Sequence, residues 1–270
     1  MDTRPIGPVV DLLHEARPPE RQTLAGTRVR LEPIDPEQHA QSLYTLSHGP
    51  DMAWLWDYLP HGPFADLADF TGWLEGCAAT ADPLAFAVID LRSEQASGMT
   101  SYMNIVPADA RIEVGQIWYA PPIQRTPLPT EAMFLMFGRV FDELGYRRLE
   151  WKCNDFNEPS KQAARRLGFT YEGTFRQHMI VKGRNRDTAW FSLLDFEWPA
   201  VRANMERWLS PDNFDAEGRQ RTSLSRLRKE DGVGPGPLFS AATQHLGLVV
   251  DQPFLAQVID QDHRALVLAA

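Results

Sequence analysis

Apolar residues recur along this chain at two different periods, and the change from one to the other marks its elements. Val29, Leu31 and Pro33 alternate, as on one face of a strand. Asp35-Pro36-Glu37 then offers a capping side chain ahead of a first-turn proline, so a helix is expected through Leu46, with Leu43 and Leu46 inward. A second helix is read over 64–77, with Leu67, Phe70, Trp73 and Leu74 on its inner face. Strands follow at 84–91 and 98–106 as a hairpin, and a third begins at Ile112. Gly115 interrupts that third strand, which suggests a bulge or a close backbone approach. Pro121, Pro122, Pro127 and Pro129 forbid both ladder and helix interior. Thr130 is then read as the cap of a helix carrying Met133, Met136, Phe137, Val140, Phe141 and Leu144, stopped by Gly145. A strand over 149–153, a short helix opened by Asn157 and stopped by Gly168, and a hairpin of 171–181 with 188–194 complete the pattern. A last amphipathic stretch runs over 201–209.

Periodicity fades at both ends. Residues 1–26 read as a Pro- and Arg-rich arm, 27–209 as the folded domain, 210–237 as a linker, and 238–270 as a tail whose apolar spacing admits helix. That tail can dock on its own domain, on a second subunit to give a homodimer, or on nothing. The chain has 270 residues, enough for one good core with an extension. No apolar run reaches membrane-spanning length, and no basic stretch precedes an apolar one near Met1, so neither a membrane span nor a signal peptide is expected. Cys77 and Cys153 make no disulfide framework and no metal cluster, which leaves the cytoplasm as the expected compartment. A net charge of −9 argues against a nucleic-acid partner and suits a cationic acceptor such as an amine, though acidity also serves plain solubility.

The candidate chemistry gathers at the proline-bearing turn. A loop that feeds a helix N-terminus brings orphan amides and a positive dipole end together, and so favours an anion. Gln124, Arg125, Thr126 and Thr130 add side-chain donors. No Gly-Lys-Ser/Thr follows, and no Gly-x-Gly-x-x-Gly opens the helix, so this is neither a Walker loop nor a dinucleotide fingerprint. Upstream, Ala53 to Phe64 is dense in aromatic and turn residues. It reads either as a satellite core under a loop or as a pocket wall made of Trp54, Trp56 and Tyr58. His61 is an acid–base candidate by type, but a lone loop histidine is usually not one.

The order of strand, anion turn, helix, strand, Asn-rich turn and short helix, with the motifs QRTPLPTEA, FDELGYRRLEWKC, N-x-x-S at Asn157 and Ser160, RLGF-x-YEG-x-FRQHM and KGRNRD, resembles the GNAT superfamily of acetyl-CoA-dependent N-acetyltransferases. Within it the motifs are similar to the branch of ribosomal-protein Nα-acetyltransferases, the RimJ/RimL-like enzymes. The resemblance covers about residues 27–199. It implies an α/β (α+β) fold: a mixed, largely antiparallel central sheet splayed at a bulge and flanked by helices. It implies acetyl-CoA as cosubstrate and no metal. It places the pantetheine arm on the strand edge of Ile117, Trp118 and Tyr119, and the pyrophosphate on Gln124, Arg125, Thr126, Leu128 and Thr130. Asn157 and Ser160 would reach the pantetheine end, and Trp54, Trp56 and Tyr58 would line the acceptor cleft.

Glu113 is the expected general base, with a salt bridge to Arg111 or to a neighbouring strand as the alternative use. Ser160 is the expected donor to the leaving sulfur, with Tyr171 as its rival. The expected reaction is acetyl transfer to a primary amine, either a small molecule or a protein N-terminus, through a ternary complex. One departure stands out. The superfamily's phosphate turn carries small residues where this chain has Pro127 and Pro129, and proline has no N–H to give. That leaves open a second reading, a non-catalytic acyl-CoA-binding module or sensor with a degenerate phosphate turn.

Overall fold

The computed structural model describes residues 7, 9, 10 and 15–230. The expected tail at 238–270, and the end of the expected linker, lie outside the described residues. One sheet of eight strands organises the rest, in the order β1-β2-β3-β4-β5-β6-β8-β7. The strands are β1 (Leu24–Ala25), β2 (Val29–Pro33), β3 (Leu84–Asp90), β4 (Gln95–Val106), β5 (Arg111–Tyr119), β6 (Arg148–Asn154), β7 (Thr170–Val181) and β8 (Arg184–Leu194). All pairings are antiparallel except β5 with β6. That parallel pair needs a crossover, which the third helix supplies.

The helices are α1 (Pro36–Ser47), α2 (Leu67–Ala79), α3 (Pro127–Gly138), α4 (Glu158–Leu167), α5 (Trp198–Leu209) and α6 (Leu224–Glu230). α1 opens as the sequence predicts, with the Asp35 side chain accepting from the Glu37 N–H. α2 starts three residues later than expected, because Asp66 caps it. The cap of α3 is Thr126 and not Thr130. Pro127 falls at its first position and Pro129 inside its first turn, where no N–H partner is required.

Two cores lie on the two faces of the sheet. α3, α4, α5 and α6 cover one face, over Ile112, Val114, Leu149, Phe191 and Leu193. α1 and α2 cover the other at the β2–β4 end, over Ala85, Ala87, Met99 and Trp118. No described helix is long and apolar enough to cross a membrane.

The segments expected to lie outside the domain are in part built into it. Ala16 is buried, the Arg17 N–H donates to the Leu144 carbonyl at 2.9 Å, and Leu24–Ala25 adds an edge strand to β2. Residues 210–230, expected as the start of a linker, form a short 3₁₀ turn at Pro211–Asn213, a bridge between Phe214 and Gln220, and α6. Leu224 and Leu227 are the physical reason: both are buried in the larger core.

Candidate active site

β5 and β6 are paired only from Arg111 opposite Arg148 to Val114 opposite Trp151. Beyond that point β5 continues to Tyr119 bonded to β4 alone, and β6 continues to Asn154 bonded to β8 alone. The cause lies in the other ladder. Pairing passes from Ser101–Gly115 to Met99–Trp118, so Gln116 and Ile117 oppose the single residue Thr100. Gln116 adopts a left-handed φ of 52°. An extra residue on one strand bends it and strengthens its twist, which swings β5 away from β6. Gly115 fits because a Cβ there would collide with Met103 Sδ. A V-shaped opening results, one wall of which is the unpaired main-chain edge of Ile117, Trp118 and Tyr119. A ligand arm that carries amides can pair with such an edge like an added strand. The side chains of Trp118 and Tyr119 are buried, so only their backbone is offered.

The turn at the foot of the opening is poorer in donors than expected. The Gln124 N–H donates to the Ala120 and Pro121 carbonyls, and the Thr126 N–H to the Ile123 carbonyl. The Leu128 N–H is taken, at 3.3 Å, by the Thr126 hydroxyl. Pro127 and Pro129 have none to give. Gln124 Nε2 donates to the Tyr119 carbonyl at 2.7 Å. Thr130 is buried, and its hydroxyl accepts from Arg166 Nη1 at 2.9 Å. Burial pushes the Arg166 guanidinium down to about 10. What remains for an anion is the dipole end of α3 and the exposed, left-handed Arg125. The opening thus suits an amide-bearing arm, and an anion at the turn would meet charge more than main-chain donors.

Glu113 lies on β5 and is 2% exposed. Its Oε2 accepts from Lys152 Nζ and from Asn104 Nδ2, both at 2.7 Å. Burial pushes the carboxyl up, against the pull of Lys152 and Asn104. The alternative use that the sequence left open, an ion pair with a neighbouring strand, is thus present, with Lys152 of β6 as partner. Lys152 Nζ also sits 4.7 Å over the Trp190 ring.

Asn157 caps α4 as expected, its Oδ1 accepting from the Ser160 N–H at 3.1 Å. Ser160 is buried, and its hydroxyl accepts from Trp151 Nε1 at 3.0 Å. Tyr171, its rival, is 38% exposed and shares a 2.8 Å hydrogen bond with the Thr174 hydroxyl.

The three aromatic wall residues separate. Trp56 is core: 1% exposed, donating its indole N–H to the Ser47 carbonyl at 3.0 Å, among the rings of Phe64, Phe70, Trp73 and Trp118. Its expected place on the acceptor wall is therefore corrected. Trp54 is half-buried against the same cluster, and Tyr58 is 39% exposed. The loop between α1 and α2 nevertheless reaches the opening. The Tyr58 hydroxyl donates to the Phe156 carbonyl at 3.2 Å, and Lys182 Nζ, at the tip of the β7–β8 hairpin, donates to the Trp56 carbonyl at 2.7 Å. From the same loop His61 Nε2 comes within 3.3 Å of Gln116 Nε2 at the bulge. Sequence reasoning did not find Gln116, Asn104 or Lys152. Gly115 was the only local signal, and it marks the bulge without naming what surrounds it.

The acetyltransferase (GNAT) domain family matches residues 28–170 of this chain. Among curated proteins, YdaF of Bacillus subtilis (strain 168), whose name proposes it as a ribosomal N-acetyltransferase, is 31% identical over 101 residues, or 37% of this chain and 55% of YdaF. The match thus spans about half the length of that relative. Among solved structures, a GCN5-related N-acetyltransferase from Brucella melitensis superposes with a TM-score of 0.78 at 47% identity, covering 80% of this chain and 97% of that one. A probable acetyltransferase of the GNAT family from Chromobacterium violaceum ATCC 12472 gives a TM-score of 0.67 at 42% identity, over 73% of this chain and 100% of that one.

Proposed function

We propose, from the premise that this chain belongs to the GNAT acetyltransferase family, that it moves the acetyl group of acetyl-CoA to a primary amine within a ternary complex. The carrying observation is the opened β5 edge at the Gln116 bulge. The family supplies the donor, acetyl-CoA, and the reaction class, acyl transfer. The unpaired edge binds the pantetheine arm, and an N–H near Ile117 polarises the thioester carbonyl. Loss of one such donor costs about 10²–10³ in rate in other acyl-transfer enzymes. Asn157 fixes the start of α4 at the other wall. The Ser160 hydroxyl accepts from Trp151 Nε1, which fixes its oxygen and leaves its own O–H to hydrogen-bond the leaving sulfur.

For the acceptor, the name of YdaF and the motif resemblance both favour a protein N-terminus, the chemistry of the RimJ/RimL-like branch. A free α-amino group has a pKa of about 8 and needs less help than a lysine amine at about 10.4. The hairpin tip and the α1–α2 loop, joined by Lys182, favour a slender acceptor such as a chain end or a small amine over a folded surface.

The test is thiol release from acetyl-CoA with a panel of short peptides bearing free α-amino ends and of alkyl amines. Turnover that requires both substrates supports the reading. Acetyl-CoA binding by calorimetry without turnover on any amine would replace it with the sensor reading, which the engaged amides and two prolines of the turn favour.

A further inference from the structure

We propose that His61 Nε2 takes the proton from the attacking amine, a role that rests on the acetyltransferase reading above. Three observations carry it. First, position: the His61 ring reaches the bulge that splays the sheet, 3.3 Å from Gln116 Nε2. Second, the tautomer. Gln116 Oε1 accepts from the buried Ser101 hydroxyl at 3.1 Å, which turns the Gln116 amide nitrogen toward the imidazole. That nitrogen only donates, so His61 Nε2 meets it with a lone pair and the imidazole proton resides on Nδ1. A contact of 3.3 Å is long for a hydrogen bond, and an incoming amine can replace it. Third, access. Glu113, on the same strand, is enclosed, and both its donors fall on Oε2, whereas His61 is half-exposed.

The surroundings keep the imidazole neutral and therefore able to accept. Its ring packs on Trp73 of α2 at 5.3 Å between centroids. Burial, and then the charge of Lys182 on the hairpin, hold it below its ordinary value. From β5 it meets the uncharged Gln116. In its own loop Asp57 lies toward Lys182. A base below 6.5 suffices, because an amine nitrogen becomes far more acidic once it has bonded to carbon. In the step, the amine lone pair forms the N–C bond and the carbonyl π pair moves to oxygen. The nitrogen's proton passes to His61 Nε2. The oxygen pair then returns and the C–S bond breaks. The departing thiolate takes a proton from solvent, and His61 releases its own to solvent.

The experiment compares wild type with His61→Gln, His61→Ala and Glu113→Gln, using the amine that turns over best. Acid–base groups contribute about 10²–10⁴ in rate, so His61→Gln should lose that much kcat/KM while acetyl-CoA binding by calorimetry is unchanged. Wild-type kcat/KM should bend twice with pH, at the amine and again below 6.5 at the imidazole, and His61→Gln should lose the lower bend. Added imidazole should restore turnover to His61→Ala. If His61→Ala does not fold, the pH profile of His61→Gln carries the test. A lower bend that survives in His61→Gln, or a loss confined to Glu113→Gln, overturns the proposal and leaves the acetyltransferase reading standing. Absence of wild-type thiol release with every amine removes that reading, and the role of His61 with it.

Discussion

Lys152 decides what kind of group Glu113 is. The carboxylate side chain is 3% accessible, and the ammonium 2.7 Å away is what lets it stay charged there. Breaking a buried pair by removing one partner costs about 3–5 kcal/mol, because the other charge is left without compensation. Lys152→Met should therefore be strongly destabilised in urea, and adding Glu113→Gln should return much of the loss. The sign with pH follows from the carboxyl being raised by burial. A raised carboxyl holds its proton more tightly in the folded state, so stability falls as pH rises from the unfolded value, about 4.3, toward the folded one. Removing Lys152 raises the folded value further and widens that window. A Lys152→Met protein whose loss is the same at every pH would show that Glu113 is not an isolated charge. The partner itself was hidden in the sequence: Glu113 and Lys152 are 39 positions apart (152 − 113) on strands whose parallel register no local pattern encodes. Which of the two uses of the Trp56 loop is right, satellite core or pocket wall, was hidden for the same reason. The sequence admits both until Trp118, brought in across the sheet, is found packed 5.7 Å from Trp56.

The turn into α3 shows what two prolines do to an anion site. They cost nothing to the helix, since the first turn has no use for those N–H groups, but they remove donors that a diphosphate would take. Restoring them in Pro127→Ala/Pro129→Ala should tighten acetyl-CoA binding. A hydrogen bond to a charged group is worth about 1.5–3 kcal/mol, so one new donor is enough for about a tenfold fall in Kd by calorimetry. The folded state should lose only about 0.4–1 kcal/mol per proline, through a freer unfolded chain. Unchanged affinity in a folded double variant would mean that the phosphates lie elsewhere. Many elements were legible from periodicity, because α1 and α2 each carry an apolar stripe and β2 alternates, whereas β3 is buried along nearly its whole length and shows no alternation. The start of α3 was not: proline was read as a breaker, and Thr126 rather than Thr130 proved to be the cap. The splayed sheet came from the motif resemblance, and Gly115 marked its bulge. The engagement of the turn's own amides could not be read from residue types at all.

Seen whole, the domain is closed at one end by chain that its composition disguised. Residues 210–230 are rich in Arg and Ser and look like a linker, yet a few well-placed side chains tie them down. Trp208 Nε1 donates to Gln220 Oε1 at 2.8 Å, its ring meets Phe214 edge-on at 5.3 Å, and the Arg166 guanidinium lies 4.7 Å over that same Trp208 ring. Arg28, from the N-terminal side, reaches the Leu209 carbonyl at 3.0 Å. The cap thus touches the proline-bearing turn through a short chain of contacts: α6 on α5, Trp208 on Arg166, Arg166 on the Thr130 hydroxyl in the first turns of α3. Leu224 and Leu227 are its apolar anchors, at 1% and 6% exposure. Each Leu→Ala change at a buried site costs about 2–5 kcal/mol, and neighbours on one helix add imperfectly. The Leu224→Ala/Leu227→Ala protein should therefore unfold at clearly lower urea than wild type and should bind acetyl-CoA more weakly, since Arg166 loses the support that aims it at Thr130. Lower stability with unchanged acetyl-CoA affinity would confine α6 to a structural role. Unchanged stability would show that it does not pack on the domain in solution.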